Sequence, residues 1–469
     1  MNSYLLAAPQ VLCYANDNTA SIDQHWVDTT LLFLRSNMVA ASLVKRNYED
    51  MIQDHGDVIN VRRPNDFAMR RTADFSNLET QDAVSIKVQV PLDQWATVSF
   101  LIGDGERSKS FANLVDEYLE PAALALAEAV DKIVLGQVAR LATYTAGELN
   151  AMNSTNAQRF LVETDKCLND NKCPIPGRNL ILSTNAKAQL LQSSVVVEAD
   201  KRGDEGTALR DASVGRIYGF QTWMSQNVNS VSNADTDETA FVQGGSALAK
   251  GVTIVPATAT TTGQVNGEYI VIEGEGHPHV ISATSATPDV FTLVEATKRP
   301  IAAAAAITVY NACAVDLVAG YAAGDYGFIH VDGLAATKPL QIGQLLAVGT
   351  GASRVVYTII DVANFASGDQ DVMLDRPLEG ALADGDVLFP GPAGDMNIAM
   401  TEDAVALVVR PLATVPDGEG ARSFVASFGG LSIRMTSSYD GLAHSTRVTA
   451  DMLCGIQVLN AKLACVMLS

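Results

Sequence analysis

The sequence predicts an α+β fold whose helical and strand-rich parts are segregated along the chain, and three patterns predict it. Apolar residues recur at three- and four-residue spacing from Ser110 to Leu141, the stripe of one long amphipathic helix. Helix and strand patterns alternate from Thr155 to Val228. Residues 231–395 then lose helical periodicity while Gly, Ala, Thr and Val rise. At 469 residues the chain is long for one hydrophobic core, so several domains are expected.

The elements follow in order. His25 to Val44 has helical spacing, and residues 1–55 read as an arm and helix. Val58, Val61, Val84, Ile86, Val88 and Val90 alternate with polar residues, which predicts an antiparallel two-stranded ribbon across Gly56 to Ile102, within a segment 56–107. Its tip carries Arg62, Arg63, Arg70 and Arg71. Two strands alone are marginal in water, so the ribbon must lie on something, and arginines on an acidic chain suggest an acidic partner. Solvated loop arginines are the alternative. The helix stripe belongs to a segment 108–150. Pro121 predicts a kink or break near Leu119, with Asp116, Glu117 and Glu120 clustered beside it.

Residues 151–230 read as a compact α/β unit. Thr155 and Gln158 form the capping-box pattern ahead of Phe160, Leu161 and Leu168. Asn179 to Leu182 reads as a buried strand, and Ser183 or Thr184 as the cap of a further helix. Ser193 to Ala208 is a polar surface loop. Ala212 to Val228 reads as turn and strand, with Gly215 and Gly219 at the turns and Ile217, Tyr218, Phe220 and Trp223 supplying strand bulk. In 231–395 the run beginning Gly267-Glu268-Tyr269 and ending Arg299-Pro300-Ile301 returns as Gly343-Gln344-Leu345 to Arg376-Pro377-Leu378, offset by 76 and 77 residues. This predicts two side-by-side copies of one small β-barrel module. Residues 396–423, with Thr401 to Leu412, return to the α/β unit. Residues 424–469 form a hairpin and tail, in which Leu431, Ile433 and Met435 should pack on Tyr118, Leu126 and Ile133.

Composition excludes several functions. Lys plus Arg number 32 against 53 Asp plus Glu, a net charge of −21, which opposes nucleic-acid binding driven by counterion release. The six cysteines lack paired metal spacing and fit a reducing compartment as free, mostly buried thiols. No phosphate-binding glycine loop, His-Glu-x-x-His or Gly-x-Ser-x-Gly motif is present. His277 and His279, with Glu273 or Glu275, read as a solvated turn rather than a metal site. Asn233, Asp235 and Asp237 open like a calcium loop, but Glu238 replaces the needed glycine, so they read as a linker. No catalytic residue, cofactor or metal ligand is assigned. The first residues lack the basic start of a secretory signal, and no apolar run is long enough to span a bilayer.

The Ala212 to Val228 stretch resembles the apical-domain segment of tailed-phage major capsid proteins of the Hong Kong phage capsid fold. The ribbon, long helix, α/β region, Thr401 to Leu412 return and C-terminal hairpin resemble the same family in the same order. The resemblance implies an N-terminal arm, an extended β loop, a spine helix in a peripheral domain, and an apical domain with an inserted β-barrel domain at 231–395. It implies a coat protein that self-assembles as hexamers and pentamers into an icosahedral shell around double-stranded DNA, without sequence-specific contact to it. Expected partners are scaffolding and portal proteins and a decoration protein, with no membrane, and expected assembly is in the host bacterial cytoplasm. No cleaved amino-terminal scaffolding segment is expected. The inter-subunit candidates are Arg62, Arg63, Arg70, Arg71, Asp116, Glu117 and Glu120. The alternative is a virion-surface β-domain that binds carbohydrate or a receptor.

Overall fold

The structure, a computed structural model, describes residues 38–46, 58–63, 69, 86–103, 120–197, 212, 214–243, 247–258, 264–286, 289–415, 421–428, 431–441 and 444–469. Of the helix expected over His25 to Val44 only Met38 to Val44 is described, and it holds a single 3-10 turn, Ala40–Ser42. Of the loop expected over Ser193 to Ala208 the described part includes a short helix, Ser194–Val197. The rest of both, most of the arginine tip and the helix stripe before Glu120 lie outside these residues.

Among the described strands, Gly394–Met400 and Ala464–Leu468 are buried at every residue. Buried on both faces, they sit in the interior of a sheet. They pair antiparallel, with Met396 opposite Leu468. Asn179–Leu182 lies on the other side of Gly394–Met400 and pairs parallel with Phe220–Met224. Thr145–Gly147 runs parallel to the last strand, completing one side of a seven-stranded mixed sheet. The helix Ala157–Asp170 packs on it through Phe160, Leu161 and Leu168.

A second, five-stranded sheet is built on the hairpin Leu431–Asp440 and Ser445–Val458. Ala421–Phe428 flanks the first hairpin strand, and Gln94–Gly103 and Val405–Arg410 share the free edge of the second. Leu431, Ile433 and Met435 enter one core with Leu126, Val130 and Ile133 of the helix Glu120–Gly136. The buried Asp131 of that helix accepts hydrogen bonds from the backbone of Val39 (2.9 Å) and Ala41 (3.0 Å), pinning residues 38–46 against it.

Residues 236–390 form two closed six-stranded barrels. The first has strands Thr236–Val242, Ile254–Thr258, Tyr269–Ile272, Pro278–Ala286, Asp289–Leu293 and Ala306–Tyr310. The second has Cys313–Val315, Phe328–Asp332, Leu345–Val348, Val355–Ala366, Asp369–Leu374 and Val387–Pro390. Taken in chain order, the strands of both barrels close in the same ring, with the second next to the fifth, then fourth, third, sixth and first. Detail repeats too. Gly267 N donates to Ile281 O and Ile281 N to Glu268 O in one, Gly343 N to Ile359 O and Ile359 N to Gln344 O in the other. The Glu268 carboxylate takes the Val265 N–H as the Gln344 carbonyl takes that of Gln341.

Several expectations change. Gln94–Gly103 leaves the ribbon, which is confined to Val58–Arg63 and Ile86–Pro91 among the described residues. The strand pattern alone does not name its partner. Residues 396–423 split between sheets: Gly394–Met400 stays in the mixed sheet, while Val405–Arg410 pairs with the C-terminal hairpin. The last strand joins the mixed sheet, because five consecutive buried residues need cover on both faces. The capping box falls two residues early. Asn153 Oδ1 accepts from Asn156 N, and Asn156 Oδ1 from Asn153 N, so Thr155 is not the cap. Ser183 caps as expected, accepting from Ala186 N at 3.0 Å. Pro121 is the second described residue of the helix Glu120–Gly136, so the kink or break expected near Leu119 falls at the edge of the described residues. Within them the helix is interrupted at Gly136 and Gln137, before a short helix Val138–Leu141. There Thr358 of the second barrel donates to Gly136 O at 2.7 Å, and a Cβ on Gly136 would lie 3.0 Å from that of Asp375.

Leu126 is 1% exposed at the centre of the shared helix and hairpin core. Leu126→Ala should cost about 2 to 5 kcal/mol and give insoluble or strongly destabilised protein, read by denaturant unfolding. A soluble variant of wild-type stability would contradict the placement of this core.

Candidate functional site

The residues singled out from sequence are not gathered into one site by the described residues. Arg62 and Arg63 close the first ribbon strand, opposite Lys87 and Ile86. Arg70, Arg71, Asp116 and Glu117, and the side chains of Arg62 and Arg63, lie outside the described residues. Glu120, the first described residue of the helix, is exposed.

The structure instead concentrates charge where the barrels meet the base. The two Arg-Pro pairs that marked the repeat are anchors. Arg299 of the first barrel contacts Glu148 and Glu163, and Arg159 contacts the same two carboxylates, joining the barrel to the helix Ala157–Asp170. Arg376 of the second barrel lies 3.1 Å from Asp375 and 3.1 Å from Glu379, donates to Val356 O, and covers the Tyr357 ring at 4.4 Å. Glu379 also meets Arg140 of the short helix at 3.6 Å. Asp375 is wholly buried, and burial raises its carboxyl against the pull of Arg376 and the Thr358 N–H. Gln94 donates to Asp375 O and is itself bonded by Tyr326, so the strand Gln94–Gly103 is tied to the same anchor.

His277 and His279 do not lie in a solvated turn. They are 4% and 3% exposed, and Glu275 is 0% exposed. The Glu275 carboxylate accepts from His277 N and Lys298 N, both at 2.9 Å, and lies 2.9 Å from His279 Nε2. That contact is in ion-pair range but out of line, so neither His279 ring nitrogen has a hydrogen-bond partner. Burial alone would raise the Glu275 carboxyl. The contact with His279 and the neighbouring imidazoles outweigh it and hold the carboxyl low. His277 Nδ1 and Lys298 Nζ reach Thr145 Oγ1 at 3.0 and 2.6 Å, which fastens this loop to the mixed sheet. Burial pushes the His277 imidazole down to about 4, with Lys298 and Arg299 adding to the shift and Glu275 opposing it. The repeated glycines of the motif concealed this: Gly276 sits with its Cα against Glu148, where a Cβ would come within 2.5 Å of that residue's Cβ.

Among the described residues no group of three or more His, Cys, Asp or Glu is arranged to hold a metal ion, and no helix is long and apolar enough to cross a membrane. The described cysteines are free thiols. Burial pushes Cys313 and Cys454 up to about 12, which leaves them protonated and unreactive. The linker expected from Asn233 to Asp237 runs into the first barrel strand, Thr236–Val242, and Asn233 ties it to the second barrel through Lys338 and Gln341.

No family model matches the chain, and no curated protein does. Among solved structures, one described as Mycobacterium phage Che8 is 13% identical, covering 92% of this chain and 90% of that one at a TM-score of 0.44. The capsid structure of the cyanophage P-SCSP1u is 10% identical, covering 88% and 83% at 0.40. The asymmetric unit of the bacteriophage PhiM1 mature capsid is 10% identical, covering 88% and 82% at 0.40.

The His277 shift has a sign that can be tested. An imidazole lowered to about 4 from its ordinary value of 6.5 contributes stability that is fully present above pH 6.5 and is lost as pH falls towards 4. The loss attributable to it is roughly 3 kcal/mol. Urea unfolding of wild type and His277→Gln between pH 7.5 and 4 checks it: the wild type should lose this increment on acidification and the variant should not. Parallel curves would refute the assignment.

Proposed function

We propose that this chain is the major capsid protein of a tailed bacteriophage, self-assembling into an icosahedral shell that encloses double-stranded DNA. The observation that carries the reading is the order in which the described chain builds its parts. A ribbon leads into a strand of the hairpin sheet, a long helix packs on that sheet, and an α/β unit follows. Both barrels then leave and re-enter that unit at one point, where Met396 N donates to Asn229 O at 2.9 Å, before the C-terminal hairpin. This is the order the sequence resemblance implies. The ribbon pairs only with itself among the described strands and packs on the hairpin sheet through Val61 and Val90; on this reading its tip reaches a neighbouring copy.

On this reading the chain is structural rather than catalytic. Its partners are further copies as hexamers and pentamers, with scaffolding and portal proteins, and its place is the virion capsid after assembly in the host cytoplasm. The net charge of −21 suits a shell whose contents must be packed without sticking to it. Sedimentation and electron microscopy of the expressed chain, alone and with a scaffolding protein from the same genome, test the proposal. Closed shells or sheets of hexameric rings support it, and a chain that stays monomeric in both settings refutes it.

The arginine tip gives the sharper prediction. An exposed ion pair contributes only about 0 to 1 kcal/mol, yet in a shell each is repeated in every subunit. Replacing Arg62, Arg63, Arg70 and Arg71 together with Ser should lower shell yield or shell stability while leaving the monomer's unfolding midpoint unchanged. Shells of wild-type yield and stability would remove the tip from the assembly contacts.

A further inference from the structure

Cys167 and Cys465 meet where the helix Ala157–Asp170 packs on the last strand of the mixed sheet, Ala464–Leu468. On the helix, Phe160, Thr164 and Cys167 follow one another at four and three residues and share a face. On the strand, Cys465 and Met467 point towards that helix, while Ala464, Val466 and Leu468 enter the other core. The approach is close. Helix and strand come within 8 Å of each other between Cα atoms. On the neighbouring strand Gly147 lies against Phe160, where a Cβ would come within 2.8 Å of the ring.

The two thiols interact directly, and the positive charge of Lys298 from the first barrel bears on both. Their surroundings differ. Cys465 is 0% exposed, and contact with Cys167 together with burial pushes its thiol up. Cys167 is partly exposed, and contact with Cys465, helped by Lys298, holds its thiol low against the effect of burial. Burial raises the thiols of Cys173, Cys313 and Cys454. Among the described cysteines, then, Cys167 alone is held towards its thiolate, and a second thiol lies against it. An attacking thiolate beside a resolving cysteine is the arrangement that redox-responsive pairs use.

We propose that Cys167 and Cys465 form a redox site, kept as two thiols in a reducing compartment and closed to an intrachain disulfide by a small disulfide oxidant such as glutathione disulfide. The Cys167 thiolate attacks one sulfur of the oxidant. The oxidant's S–S bond breaks, a mixed disulfide forms on Cys167, and one glutathione thiolate leaves and takes up a proton. Cys465, losing its proton, then attacks Cys167 Sγ and expels the second glutathione. Two cysteine protons thus end on two glutathione thiols, and two electrons pass from the protein to the oxidant. The bond clips the helix to a strand inside the mixed sheet and closes a very long loop of the unfolded chain, where a crosslink removes most entropy. The proposal is independent of the capsid reading.

The full chain, purified reduced and then incubated folded with glutathione disulfide, tests it by peptide mapping without reductant. A peptide pair joined through Cys167 and Cys465 is expected. The oxidised chain should unfold about 5 °C higher, and dithiothreitol should reverse the gain. On the reduced chain, limiting iodoacetamide should label Cys167 at least about tenfold faster than the other described cysteines. Cys465→Ala should stop at the mixed disulfide and keep one glutathione on Cys167. If that variant does not fold, Cys167→Ser, a change at the partly exposed position, should leave Cys465 unmodified and the midpoint insensitive to oxidant. Folded wild type that keeps both thiols free, retains glutathione on Cys167 or joins Cys167 to a different cysteine would overturn the proposal.

Discussion

The arrangement of everything outside the base depends on one short pairing, Gly394 with Val231 and Asp395 with Ser230. The chain leaves the mixed sheet there, builds both barrels and returns. Asp395 locks the crossing, since its carboxylate accepts from Ser183 Oγ at 2.7 Å and Ser230 Oγ at 2.5 Å. Asn397, two residues on, accepts from Ser183 N and donates to Ser469 Oγ. A buried polar network of this kind costs stability when partly satisfied and fixes one register when its bonds are made. Gly394 is equally constrained, with φ +134° and no room for a Cβ, which would come within 2.5 Å of Leu149. A slip of one residue would turn these polar groups away from one another and carry both barrels with it.

The barrels share a topology but differ in how they are fixed. The Arg-Pro pair occurs at the same place in both, yet Arg299 reaches outward to two carboxylates of the base, whereas Arg376 turns to the wholly buried Asp375 of its own barrel. In the second barrel the link to the base passes through Glu379 to Arg140 and through Thr358 to the broken end of the long helix. An internal duplication copies a fold and its turn chemistry. It cannot copy a docking surface, because the two copies necessarily face different neighbours.

This difference explains what the sequence disclosed and what it hid. The helix stripe through Leu126 and Ile133, the alternation of Leu431, Ile433 and Met435, and the repeat from Gly267 and Gly343 are periodic, and periodicity reports which face is buried. It does not report the neighbour. Gln94–Gly103 therefore read as ribbon although it pairs with Ser445–Val458, and Val405–Arg410 read as continuous with Gly394–Met400 although the chain changes sheets between them. The junction was legible only in part. His277 and His279 lie among glycines and a proline, the composition of an exposed turn, and their burial comes from packing against Thr145, more than a hundred residues earlier in the chain. Asn153 and Asn156 form a reciprocal cap that asparagine permits but the usual Ser/Thr and Glu/Gln pattern does not flag.

Charge placement bears on assembly in the same way. Of the 32 lysines and arginines, Arg140, Arg159, Arg299 and Arg376 are engaged with carboxylates at the barrel anchors, and Arg178 is buried among Asp165, Asn169 and two backbone carbonyls. Their partners Glu379, Glu148, Glu163, Asp375 and Asp165 are withdrawn with them, so the excess of carboxylates stays with the rest of the chain. An arginine-bearing ribbon tip then meets a favourable potential over much of a neighbouring copy. Attraction so broadly distributed speeds encounter but selects little. If the ribbon docks as proposed, its position must be chosen by the contacts along its strands and the point where it is rooted. That root is firm: Val61 and Val90 pack on Ala406 and Val408 of the hairpin sheet, on the face opposite the one where Val405, Leu407 and Val409 meet the helix core, so the sheet that holds the long helix also sets the direction in which the ribbon leaves the subunit.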